Sequence, residues 1–255
     1  VQTYVVAGTV VPSVTELFKW NGSHTSFRLS EEIGVGGGII EVSGNIECAS
    51  YGGANPDSVT NNYSAPGANG LIKFTGTADK TYTHISGILP PLEIACTAGK
   101  KLDCSGTTDV YTAAFTMTTG NFTAPNGIMS IGMNWSASRT LLNIKAGAGT
   151  FTPGTGEVNI EEYSTSSGTS YDKTLQVDSA ISFHKLTLAG GHTYSYRVQT
   201  YIVAGTVVPT VTETFKWNGS HTYFYLMGTI EVSGNIECAS YGGANPDISS
   251  GYSSP

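Results

Sequence analysis

Apolar and polar residues alternate with a period of two along most of this chain. Tyr194, Tyr196, Val198, Thr200 and Ile202 fall on one face, with Ser195, Arg197 and Gln199 between them, the pattern of a strand buried on one side. Residues 110–117, 128–135, 141–144, 174–177 and 181–188 read as strands too. Turn material separates them at 124–127 (Ala-Pro-Asn-Gly), 152–154 (Thr-Pro-Gly) and 166–168 (Ser-Ser-Gly). Asn21-Gly22 and Asn218-Gly219 each lie between strand-like runs, and Asn-Gly tolerates the positive φ angles of a type I′ turn, so each predicts a β-hairpin. No segment carries a sustained helical stripe with caps. The expected fold is therefore all-β: a β-sandwich or jelly roll with antiparallel sheets.

The chain also repeats itself. Residues 1–27 return at 198–224 with four changes, and 40–57 return letter for letter at 230–247. Between these blocks the first copy spends eleven residues, 30–40, where the second spends four, 227–230, so the offset falls from 197 to 190. Such self-similarity marks an array or a terminally duplicated unit. The expected organisation is a first strand-hairpin copy over 1–40, a Gly/Asn/Pro-rich connector over 41–66, and a β segment over 67–109. A sandwich core over 110–229 and a second connector over 230–255 complete it. Val1 opens inside a strand-like pattern, as expected of a processed protein or a window of a longer one.

Composition narrows the function. Charged residues are 12% of the chain, about half the ordinary ~25%, and glycine reaches 32 residues. That balance suits an extracellular, cell-surface or virion-surface protein. The net charge of −7 and the pairing of basic residues at Lys100-Lys101 alone argue against nucleic acid. No apolar run approaches the ~18 residues of a membrane span. Cys96 and Cys104 flank a short segment and are candidates for a disulfide, while Cys48 and Cys238 occupy the same repeat position.

Candidate chemistry is sparse. Sequons at Asn21, Asn62, Asn121, Asn134 and Asn218 are candidate glycosylation sites. Trp20, Trp217, Tyr223 and Tyr225 adjoin the expected turns and could stack on sugar, although cross-strand packing is the commoner use of such rings. Glu161, Glu162, Asp172 and Asp178 surround a polar loop but lack the alternating spacing of a calcium loop. No nucleophile elbow, zinc-binding His-Glu-x-x-His or phosphate loop is present, and no cofactor is expected.

Residues 119–128, TGNFTAPNGI, resemble the Gly-x-Phe-Thr-Ala-Pro-x-x-Gly segment of the C1q and tumour-necrosis-factor-like jelly-roll family. Residues 186–198 and 222–226 are similar to later strands of that family, which implies a domain over about 110–226, trimerisation and a ligand-binding head. Residues 186–198 are also similar to strand pairs of bacterial fimbrillins, which implies polymerisation by strand donation.

The leading expectation is a non-enzymatic structural protein that assembles with copies of itself into a filament, pilus or other surface appendage. Val1, Thr3, Val5, Val198, Thr200 and Ile202 are its candidate contacts. The alternative is a C1q-like trimeric head that binds glycan or protein.

Overall fold

The computed structural model describes residues 2–6, 11–22, 27–31, 38–50, 71–132, 139–163, 172–191, 198–219 and 223–240. Among these every regular element is a strand, and every pairing within a sheet is parallel.

The longest sheet has nine strands: β2 (Ser13–Val14), β5 (Ile39–Val42), β7 (Leu71–Phe74), β9 (Leu92–Ala95), β12 (Phe115–Thr119), β15 (Arg139–Ile144), β18 (Asp172–Val177), β20 (Val198–Ala204) and β22 (Tyr223–Met227). A six-stranded sheet holds β3 (Leu17–Gly22), β6 (Asn45–Ser50), β8 (Lys80–His84), β10 (Lys101–Asp103), β13 (Asn121–Thr123) and β16 (Phe151–Thr152). The third contains β11 (Val110–Thr112), β14 (Ile128–Ile131), β17 (Glu157–Tyr163), β19 (Ser182–Gly191), β21 (Thr210–Gly219), β23 (Glu231–Val232) and β24 (Asn235–Ser240). A separate pair joins β1 (Gln2–Val6) to β4 (Phe27–Glu31).

The chain thus passes from one sheet to the next and returns beside its own earlier course. Ile72 faces Leu92, twenty positions on, and Leu142 faces Leu175, thirty-three on. This is a parallel β-solenoid, and it corrects the expected antiparallel sandwich. The alternation does mark strands, but it does not mark an antiparallel sheet. Parallel sheets usually have both faces covered and read as unbroken apolar runs. In a solenoid only the inner face is covered, so each strand keeps the half-buried pattern of an antiparallel sheet.

The inner face carries the stability. Val42, Phe74, Ile94, Met117, Ile144 and Val177 oppose one another in successive coils, all essentially inaccessible. Ile72, Leu92, Phe115, Leu142 and Leu175 form a second ladder beside it. Phe122 lies 4.7 Å from Phe115 and 5.7 Å from Phe151 between ring centroids, filling the lumen where the coil is three-sided. Each such side chain contributes roughly 1.5–3 kcal/mol of burial.

Asp and Asn secure the corners by accepting amide protons from the next coil. The Thr81 N–H donates to Asn45 Oδ1 (3.1 Å), Lys101 N–H to Asp79 Oδ1 (3.2 Å), Thr150 N–H to Asn121 Oδ1 (2.8 Å) and Thr206 N–H to Asp178 Oδ1 (3.0 Å). At these corners the sheet ladder breaks, and the side chains satisfy amides it would leave open.

Several local expectations change with the topology. The Asn-Gly hairpins do not form: Asn21-Gly22 and Asn218-Gly219 close β3 and β21, where they pair with Ala49-Ser50 and Ala239-Ser240. The 110–117 run is two strands in different sheets, split by a corner at Ala113-Ala114. Residues 119–128 make one full side of a coil, with Gly120 at a positive φ of 81° at one corner. The start of the expected 41–66 connector forms β5 and β6 inside the solenoid, and 51–66 lie outside the described residues.

Candidate functional site

The repeated sequence lies in the first and last described coils, and its two copies adopt the same strand registers. Gln2 faces Phe27 and Gln199 faces Phe224; Ser13 faces Glu41 and Thr210 faces Glu231; Leu17 faces Asn45 and Thr214 faces Asn235. The copies do not sit on equivalent sides, however. β2 and β5 begin the nine-stranded sheet, whereas their counterparts, the start of β21 and β23, lie in the seven-stranded one. The period is therefore not a whole number of coils.

Identical residues have opposite environments in the two copies. In the first, β7 and β8 cover the far edges of β5 and β6, with Val42 opposite Phe74 and Ile46 opposite Tyr82. In the second, β23 and β24 end their sheet, and no described strand pairs with their far edges. Ile46 is 1% exposed and its counterpart Ile236 is 70% exposed. Cys48 is buried and Cys238 is exposed. Among the described residues, β2 and β3 begin their sheets.

The covered edge shows what chemistry its sequence accepts. Cys48 faces His84 across β6 and β8, and its thiol donates to Ser86 O at 3.4 Å. Burial pushes the Cys48 thiol up to about 12 and raises the Tyr82 hydroxyl well above its ordinary range. Tyr82 Oη and His84 Nδ1 are hydrogen-bonded at 2.9 Å, while His84 Nε2 is buried without a partner among the described residues. Burial lowers the His84 imidazole to about 4, against a smaller opposing pull from Asp109.

On the outer face Lys19 and Glu47 pair at 2.6 Å, and Lys73 and Glu41 at 3.3 Å. Lys185 meets Glu213 at 3.3 Å, and His184 contacts the same carboxylate.

The expected sites divide. Trp20 is buried and stacks with Phe18, and Trp217 packs edge-on against the buried Tyr201 and against Phe215. These rings belong to the lumen and form no exposed platform. Tyr223 and Tyr225 fall on β22, but their side chains lie outside the described residues. Cys96 and Cys104 are free, buried thiols at successive corners, with Cys96 Sγ donating to Lys100 O. Asn121 holds its corner through Oδ1. Asn21 and Asn218 sit at strand ends, and Asn62 and Asn134 lie outside the described residues.

Among the assembly candidates, Val1 is outside the described residues, while Thr3 and Val5 lie on β1. Val198, Thr200 and Ile202 lie on β20, which is flanked by β18 and β22. Among the described strands, β1 pairs only with β4, while β22 pairs only with β20, and β23 and β24 only with β21. Asn235, Ile236, Glu237 and Cys238 escape sequence reasoning because their Gly/Asn-rich surroundings read as connector. The alternation in Ile-Glu-Val-Ser-Gly-Asn-Ile-Glu-Cys is the available signal.

Among the described residues, no group of His, Cys, Asp and Glu could hold a metal, and no helix is long and apolar enough to cross a membrane. No protein-family model, curated protein or solved structure matches the chain.

Proposed function

We propose that this is a non-enzymatic, extracellular structural protein that builds a filament or surface appendage by stacking one solenoid on another. The observation that carries the proposal is that the repeated segments take the same strand registers within a parallel solenoid, Leu17 facing Asn45 as Thr214 faces Asn235. Equivalent coils stack by pairing edge amides and lumen side chains with the next coil, and coils on different molecules can do so in the same way. Low charge and the absence of any catalytic motif in the sequence are consistent with this reading. The trimeric-head alternative depends on an antiparallel jelly roll, a frame the parallel coils do not supply.

Negative-stain electron microscopy and sedimentation of the full chain across a concentration series test the proposal. Rods or filaments that lengthen with concentration are expected. A monomer independent of concentration would defeat it.

A further inference from the structure

We propose that the bend at residues 85–88 is an acid-opened cover on the Cys48 thiol, with His84 as its latch. The inference is independent of assembly and adds a condition under which one buried thiol becomes open to modification.

The cover is short and lies outside the strands. It runs from the end of β8 to Leu89, whose N–H donates to Tyr111 O at 2.9 Å and which forms an isolated bridge with Thr112. Gly87 takes a positive φ of 87° within it, and Ile85 is 62% exposed. Its bonds converge on Cys48. The Cys48 carbonyl accepts the Ile85 N–H at 2.7 Å and the Ser86 N–H at 3.4 Å, and the Cys48 thiol donates to Ser86 O at 3.4 Å. With the bend in place the Cys48 side chain has no access to water.

His84 leads into the bend and holds it shut as a neutral ring. It faces Cys48 across β6 and β8, and Thr107 Oγ1 accepts its N–H at 3.2 Å and donates to its carbonyl at 3.0 Å. Its Nδ1 meets Tyr82 Oη at 2.9 Å, while its Nε2 is buried with no partner among the described residues. A neutral imidazole carries one N–H and one lone pair, so the fold bears a single unmet group. The imidazolium carries two N–H groups. Its Nε2–H would be buried, charged and without an acceptor, which costs far more than the neutral ring does.

The titratable groups around the ring do not relieve that cost. Tyr82 lies on the same strand, and its hydroxyl is already engaged at Nδ1. Cys48, opposite on β6, gives its proton to Ser86 O. The Tyr111 ring lies 5.3 Å away between centroids. Asp109 is the acidic group that favours the cation, but its Oδ1 accepts the Ile128 N–H at 2.8 Å. Glu47 acts on Cys48, and Cys104 on Tyr82. Burial accordingly holds the imidazole down to about 4, below its ordinary 6.5. Swinging the bend outward returns the ring to water, where it takes its proton at the ordinary value. The opened form should therefore be about 50-fold more populated at pH 4.5 than at pH 7.

The test uses the unaltered full chain, a thiol reagent in excess and peptide mass spectrometry to read each cysteine separately. Rates are divided by that of glutathione in the same tube, which removes the pH dependence of the reagent. The normalised Cys48 rate should rise about 50-fold from pH 7 to pH 4.5, while that of Cys96, whose thiol donates to Lys100 O at a corner without histidine, rises no more than about fivefold. Equal rises at both cysteines would mean that the whole fold opens, and a flat Cys48 rate would mean that nothing does. Either result overturns the proposal. His84→Gln keeps a polar side chain beside Tyr82 but takes up no proton, so its Cys48 rate should stay flat, and a rise like that of the unaltered chain would remove His84 as the latch. Amide exchange of the unaltered chain gives an independent reading. The Ile85 and Ser86 amides should lose protection over the same pH range while the Lys145 amide, bonded to Met117 O, keeps its own. Unchanged protection at 85 and 86 would overturn the proposal as well.

Discussion

Trp20 lies opposite Cys48 in the neighbouring coil, and Trp217 lies opposite Cys238 in the same register, although the first pair is 28 positions apart and the second 21. The seven-residue difference falls between β4 and β5, where the first copy has 30–40 and the second 227–230. Shortening 30–40 to the length of its counterpart should therefore leave register and core intact. The cost of closing a loop changes slowly with length, so a stability change within about 1 kcal/mol is expected. Urea unfolding of the shortened chain measures it, and loss of the cooperative transition would contradict this expectation.

Gly44 and Gly234 hold the same repeat position at a tight approach between coils. A Cβ on Gly44 would lie 2.1 Å from the Glu16 carbonyl oxygen, and one on Gly234 would lie 2.0 Å from that of Glu213. Gly44→Ala should cost about 1–3 kcal/mol, since β5 and β6 are clamped between neighbours and can relax only by moving backbone. Gly234→Ala should cost less, because β23 and β24 have a free side toward which to shift. Denaturant midpoints of the two variants compare them directly, and equal losses would argue against that difference in freedom.

Thiol reactivity should separate one cysteine from three. Cys48, Cys96 and Cys104 are buried free thiols, and Cys238 is exposed. Burial raises the first three, so little reactive thiolate is present at pH 8. A thiol reagent should titrate one group rapidly in the native protein and four after denaturation. Two groups that stay silent in denaturant but appear after reduction would mean that Cys96 and Cys104 are bonded after all.

His84 should make stability fall on acidification. It is held near 4 in the fold against an ordinary 6.5, so between those values the unfolded chain binds a proton that the folded chain does not. Its contribution is complete above pH 6.5 and is lost progressively as pH falls toward 4, by at most about 3 kcal/mol. His84→Gln should flatten the difference in unfolding free energy between pH 7 and pH 4.5. Identical pH slopes in the two proteins would assign the effect elsewhere.

Removing a lumen ring tests the packing. Phe122 touches both Phe115 and Phe151, and Phe122→Ala should cost about 3–5 kcal/mol, read by thermal or denaturant unfolding.

Much of the local structure is legible in the residues themselves. The alternation of Lys73 with Ile72 and Phe74 names which side chains face inward, and the same holds for Gln176 with Leu175 and Val177. The absence of a helical stripe excludes helices, and the duplication marks two equivalent segments. Asn-Gly misleads because its turn preference is local: in β3 and β21 the ladder with β6 and β24 outweighs it. The different exposure of Ile46 and Ile236 is hidden for a related reason, since 40–47 and 230–237 are the same letters.

Residue order is enough to show that the chain is built of short, one-sided strands and that two of its segments are equivalent. The folded chain was needed to show that the strands run parallel and that Ile46 is covered while Ile236 is exposed. The physical reason is that alternation records only which face of a strand avoids water. Strand direction depends on where the chain returns after each corner, and burial depends on which neighbour arrives there.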